Sequence, residues 1–153
     1  MNEKTKEFLK FSQKERLLPQ EEMLETAYRK NKLVIGIPKE LSHNENRIAL
    51  VPEAVHLLVE NGHRVLFEEY AGASAHFTNE QYAAAGAEIV STSNEVYKAD
   101  VVIKIAPPTI EEIDKLDNSK VLFSSIFLPD RDKLYFEKLM AKKAKAISFE
   151  ISP

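Results

Sequence analysis

Few residues in this sequence could do chemistry, and two of those few are cations set beside apolar runs. Leu33-Val34-Ile35-Gly36-Ile37-Pro38-Lys39-Glu40 leads into Ser42-His43-Asn44-Glu45-Asn46-Arg47-Ile48-Ala49-Leu50-Val51-Pro52-Glu53. The pattern reads as a buried strand feeding a polar loop, which delivers Arg47 just ahead of a Pro-led helix. A guanidinium held at the end of a strand can grip a carboxylate through two parallel hydrogen bonds. The competing reading is an exposed loop arginine with a surface partner. Lys104, the second cation, follows Val101-Val102-Ile103. It either reaches a ligand, or it turns to a sheet face where its stem packs and its ammonium finds a carboxylate.

The remaining polar residues offer less. Ser124 and Ser125 have no histidine nearby in sequence and no nucleophile-elbow pattern, which argues against a serine hydrolase. His43, His56, His63 and His76 lack ligand spacing and read as surface or capping residues, with His43 and His76 the loop candidates. Glu111 and Glu112 open a helix and suit its dipole rather than forming a catalytic pair. The run Lys142-Lys143-Ala144-Lys145 reads as a solvated helix end. Only four glycines occur, and none forms the G-x-G-x-x-G turn or P-loop that brings a backbone against phosphates.

Alternating elements must position these residues. Leu33 to Ile37 reads as strand and Pro52 to Asn61 as helix, stopped by Gly62. Arg64 to Glu69 is the next strand. Thr78 to Gln81 has capping-box spacing and opens a helix closed by Gly86. Strand Glu88–Val90, helix Ser93–Lys98, strand Val101–Ile105 and helix Thr109–Leu116 follow. Val121–Ile126, Asp130–Lys143 and Ala146–Glu150 complete the series as strand, helix and strand. The rhythm predicts an α/β fold: a three-layer, mostly parallel, doubly wound sheet of the Rossmann or flavodoxin kind, without a Gly-rich dinucleotide fingerprint. Ligands of such sheets sit beyond the C-terminal strand ends, the edge that holds Ile37–Arg47, Ala106–Thr109 and Ile126–Asp130. Residues 1–31 read as a charged helical extension, either a mobile arm or one that docks, and 32–153 as the folded domain.

A length of 153 residues suits one domain, and 44% hydrophobic with 29% charged residues is an ordinary globular composition. A net charge of −3 gives no reason to expect nucleic acid. The absence of cysteine excludes disulfides and thiolate chemistry and fits a reducing compartment. No apolar run approaches the ~20 residues that span a bilayer, and charges near the N-terminus break up any signal core. The expected location is cytoplasmic.

The opening stretch resembles the start of the alanine dehydrogenase and proton-translocating transhydrogenase α-subunit family: a strand, a Pro-x-Glu turn, an Asn-Glu-x-Arg-Ile-Ala segment and a Pro-led helix. The likeness continues through Asn61-Gly62-His63-Arg64-Val65, Tyr70-Ala71-Gly72-Ala73, Tyr82–Val90 and Ala99–Lys104 to the end of the chain. It implies the N-terminal, substrate-side domain of an NAD(P)-dependent oxidoreductase, with NAD or NADP bound by a later domain and none in this chain. It further implies a keto-acid or amino-acid substrate, a homo-oligomer, and inactivity of this segment alone. Arg47 matches the family arginine that holds the substrate carboxylate. The family's catalytic lysine falls on Ala106 and its histidine on Phe127, neither of which can move a proton. Proton handling typically supplies roughly two to four orders of magnitude of rate. Lys104-Ile105-Ala106-Pro107 and Ser125-Ile126-Phe127-Leu128-Pro129 are nearer to the transhydrogenase branch, and a non-catalytic interaction module on the same fold is the alternative.

Overall fold

The structure, a computed structural model, describes residues 32–126 and 133–149. The expected extension at 1–31 and the position Phe127 lie outside the described residues. Within them the chain runs β1 (Val34–Ile37), α1 (Pro52–Glu60), β2 (Arg64–Glu68), a 3₁₀ turn (Ala73–Ala75), α2 (Asn79–Ala84), β3 (Glu88–Val90) and α3 (Ser93–Val96). It continues through β4 (Val101–Ile103), α4 (Ile110–Lys115), β5 (Val121–Ser124), α5 (Lys133–Ala141) and β6 (Lys145–Ser148).

Local chemistry explains most boundaries. Pro52 opens α1, since a missing N–H costs nothing in a first turn. Gly62, at φ +88°, supplies the left-handed residue that ends the helix. Thr78 and Gln81 form both bonds of the expected capping box at α2, and Gly86 follows its end at φ +94°.

All six strands pair in parallel, in the order β3-β2-β1-β4-β5-β6. Parallel pairing requires crossovers, and every one here carries a helix. Side chains alternate across the strands and divide the core in two. Ile35, Ile37, Val65 and Phe67 meet Val55 of α1 and Tyr82 of α2 on one face. Val102 and Leu122 meet Tyr97, Ile113, Leu116, Tyr135 and Leu139 on the other. Each large apolar side chain buried in this way contributes about 1.5–3 kcal/mol. Tyr82 stacks on Phe67 at 3.7 Å, and its hydroxyl donates to the Leu50 carbonyl at 2.8 Å, which ties the loop after β1 to the first core. Burial, with the nearby Glu53 charge, pushes the Tyr82 hydroxyl up to about 12, so it stays a donor at neutral pH.

Two departures from the expected boundaries have physical causes. The strand expected over Val101–Ile105 ends at Ile103, because the Ile105 and Ala106 N–H groups leave the ladder for the Glu40 carboxylate. The last strand, expected over Ala146–Glu150, starts one residue earlier at Lys145, which pairs with Val121, and runs to Ser148; it is exposed at the sheet edge, and Glu150 lies outside the described residues. Gly36 carries a packing requirement of another kind. A Cβ built there would lie 2.5 Å from the Val96 carbonyl oxygen and 2.8 Å from its Cγ1, so the end of α3 rests directly on β1. Gly36→Ala is expected to destabilise the fold by about 1–3 kcal/mol through overpacking, read from the denaturation midpoint. A change within ~0.5 kcal/mol would mean that α3 does not bear on β1.

Candidate active-site cleft

The strand order reverses between β1 and β4, and the loops leaving these two strands bound the crevice where doubly wound sheets bind ligands. Leu41, Ser42, Lys104, Ala106, Pro107, Pro108, Thr109 and Glu112 line a cleft of about 220 Å³ there. The backbone that forms its wall is satisfied almost entirely by two glutamates. The Lys104 N–H completes the ladder to the Phe123 carbonyl at 2.9 Å. Glu40, at the exit of β1, accepts from the N–H groups of Ile105 and Ala106. Pro107 and Pro108 have no N–H to place. The Thr109 N–H donates to Glu112 Oε2 at 2.7 Å, and Thr109 Oγ1 accepts from the Glu112 N–H at 3.2 Å, a capping box that starts α4.

Behind this wall lies a buried charge cluster. Lys104 is 1% exposed, and its ammonium donates to both Glu112 oxygens at 2.9 Å, with Glu40 Oε2 3.8 Å away. Glu112 is 2% exposed and also accepts from the Tyr97 hydroxyl at 2.9 Å. Burial and the neighbouring Glu112 raise the Tyr97 hydroxyl far above its ordinary value, so it donates and does not ionise. The side chain of Glu40 is 5% exposed. Desolvation raises its carboxyl above the ordinary value of 4.5, against the lowering effects of the Ile105 N–H, the Lys104 charge and the Ala106 N–H.

Arg47 lies elsewhere on the loop after β1. Its side chain is 75% exposed, and it forms a two-point fork on Glu45, with Nε to Oε1 and Nη2 to Oε2 both at 2.8 Å. The Arg47 guanidinium holds the Glu45 carboxyl below its usual range. The fork fixes the guanidinium plane, with the Arg47 N–H also donating to Glu45 Oε1.

Both sequence-selected cations therefore have carboxylate partners within the chain. Lys104 borders the cleft, but its ammonium points to Glu112, the paired arrangement that the sequence left open. Ala106 sits in the cleft wall. Sequence reasoning assigned no role to Glu40 and read Glu112 only as a helix-dipole charge. The Thr109-x-x-Glu112 spacing was a usable sign of the cap, whereas nothing local links Glu40 to residues 105 and 106. Among the histidines, His63 Nδ1 accepts from the Leu33 N–H, and exposed His56 pairs with Glu60. Among the described residues no cluster of His, Asp and Glu could hold a metal ion. The connection from Pro38 to Val51 contains no glycine, so the turn that would bring a backbone against a pyrophosphate at the switch point is missing.

Residues 36–153 match the family described as "Alanine dehydrogenase/PNT, N-terminal domain". The chain belongs to this family. An alanine dehydrogenase of Staphylococcus saprophyticus is 40% identical over 118 residues, covering 77% of this chain and 32% of that relative. A solved L-alanine dehydrogenase is 34% identical with a TM-score of 0.73, covering 76% of this chain and 32% of that one. The transhydrogenase of Sinorhizobium meliloti is 27% identical with a TM-score of 0.70, covering 78% and 36%. The chain thus spans about a third of the length of these family relatives. No helix among the described residues is long and apolar enough to cross a membrane.

Two stability measurements test the buried cluster. Lys104→Met is expected to cost about 3–5 kcal/mol, because it strands the Glu112 carboxylate without its cation. Adding Glu112→Gln should then cost less than the two single changes summed, and strict additivity would show that the two groups do not interact. The second measurement concerns pH. A carboxyl whose folded value lies above 4.5 adds stability that is complete below that pH and is lost as pH rises through the raised value. Thermal unfolding of the original chain should therefore lose stability across that window relative to Glu40→Gln. Parallel pH profiles would refute the burial of an ionisable Glu40.

Proposed function

We propose that this chain is the substrate-side domain of an NAD(P)-dependent oxidoreductase resembling alanine dehydrogenase, acting on L-alanine or a related amino or keto acid. Its membership of the family over residues 36–153 is the observation that carries this reading. The cofactor binds in another part of the whole protein, since no glycine-rich phosphate-binding turn follows β1 here, and the isolated segment is inactive. The roles left to this chain are to hold the substrate and to shape one wall of a cleft that excludes water on closure. Arg47 takes the substrate carboxylate, with Glu45 presetting its guanidinium plane. Lys104 acts from behind the wall, holding Glu112 and thereby the start of α4.

A second reading is favoured by Ala106. Ala106 cannot move a proton and the Lys104 ammonium is held by Glu112, so a transhydrogenase-like or non-catalytic module on the same fold is the alternative. One scaffold hosts many functions.

The deciding experiment uses the complete protein, assayed with alanine and pyruvate. Arg47→Ala is expected to raise KM by roughly 10- to 100-fold, the loss of bonds to a charged group. Unchanged KM and kcat would remove Arg47 from the substrate site. No turnover of either compound, together with no saturable binding of them, would favour the non-catalytic reading.

A further inference from the structure

The Glu40 carboxylate accepts two consecutive backbone N–H groups, those of Ile105 and Ala106, across the point where the strand order reverses. These are the last donors before two prolines, and the next, Thr109, is already taken by Glu112. Among the described residues, Glu40 is the acceptor for both groups. A buried amide without a partner is costly, so the path of the cleft wall depends on this one side chain. On the opposite side of β1, Glu68 Oε2 accepts from the Lys39 N–H at 2.8 Å, which fixes the backbone from which Glu40 projects. Glu40 is therefore braced at its base and holds the wall at its tip.

We infer that Glu40 is a positioning residue for the cleft: its ionised carboxylate clamps the Ile105 and Ala106 amides and sets the wall against which a small amino or keto acid is held. The inference deepens the reading under "Proposed function" and rests on it for the identity of the ligand. Ionisation matters because a carboxylate accepts through both oxygens. A carboxamide or carboxylic acid turns a donor toward one of the amides or accepts from it more weakly. Protonating Glu40 thus loosens the hold on the wall. The charged and titratable groups around it are Lys104 at the exit of β4, Glu112 on α4 and the Tyr97 hydroxyl after α3. Glu68, at the end of β2, also acts on Tyr97. Lys104 favours the ionised form of Glu40, and Glu112 opposes it.

The test compares the complete protein with its Glu40→Gln and Glu40→Asp variants, with pyruvate and alanine as probes. Glu40→Gln is expected to raise KM roughly tenfold at neutral pH with a smaller change in kcat. It should also abolish the rise in KM that the parent shows on acidification through the Glu40 titration. Glu40→Asp keeps the charge but falls a methylene short, so it should keep a pH-dependent KM at a raised level. A Glu40→Gln protein with the parent's KM and pH profile would overturn the inference. Amide hydrogen exchange provides a readout independent of turnover. In the variant, Ile105 and Ala106 should exchange faster while core amides such as Val65 and Leu122 keep their protection. Unchanged exchange at 105 and 106 overturns the clamp, whatever the activity. If the parent binds neither compound yet the two amides lose protection in the variant, the substrate reading fails and the clamp stands.

Discussion

The buried ion pair between Lys104 and Glu112 ties together four elements around the cleft. An ammonium and a carboxylate removed from water each carry a desolvation penalty of several kcal/mol, which only close, well-directed partners offset. Four elements must converge to provide them. β4 delivers the ammonium, the first turn of α4 the carboxylate, and the residue after α3 the Tyr97 hydroxyl, while the β1 exit adds Glu40. The close approach of α3 to β1 over Gly36 brings Tyr97 within reach. Glu112 has two tasks, since Oε2, which meets Lys104, also accepts from the Thr109 N–H at the start of its own helix. Moving α4 by one residue would break both arrangements at once.

The same cluster explains how a familiar sheet order serves a different purpose. The order 3-2-1-4-5-6 is that of dinucleotide-binding domains, in which a Gly-rich turn after the first strand admits a pyrophosphate to a helix N-terminus. Here the connection after β1 is long and polar, and the switch point is bridged by a carboxylate. The topology that creates a crevice is retained, while its wall is held by buried carboxylates bonded to the chain's own N–H groups and to Lys104. Architecture therefore locates the cleft, and the residues decide what enters it.

Carboxylates and one imidazole close the ends of the short strands as well. At the C-terminal edge Glu68 accepts from Lys39 and Glu40 from Ile105 and Ala106. At the opposite edge Asp100 accepts from the Val34 N–H at 3.0 Å and from Lys120 Nζ, while His63 takes the Leu33 N–H. The Val34 N–H and Lys120 hold the Asp100 carboxyl below its ordinary value. Strands of three to five residues leave many backbone groups outside the ladder. These side chains satisfy them and fix where each loop departs.

Much of the architecture was legible in the sequence, because the signals involved are local. An apolar β-branched run before Pro38, a proline at 52, a glycine at 62 and Thr78 three residues before Gln81 each restrict φ and ψ where they stand. Their alternation implied a parallel sheet with helices on both faces, and the motifs from Leu33 onward pointed to the family. Local pattern could place Arg47 and Lys104 at strand exits but could not say what they meet. Glu40 lies 65 residues from Ile105 in the chain and touches it only once β1 and β4 are paired. Likewise, a helix-opening glutamate becomes the counter-ion of Lys104 only when α4 packs over β4. Side-chain partners across a sheet are set by packing of distant segments, so the tertiary structure alone decided which charges are buried together and which carboxylate shapes the cleft.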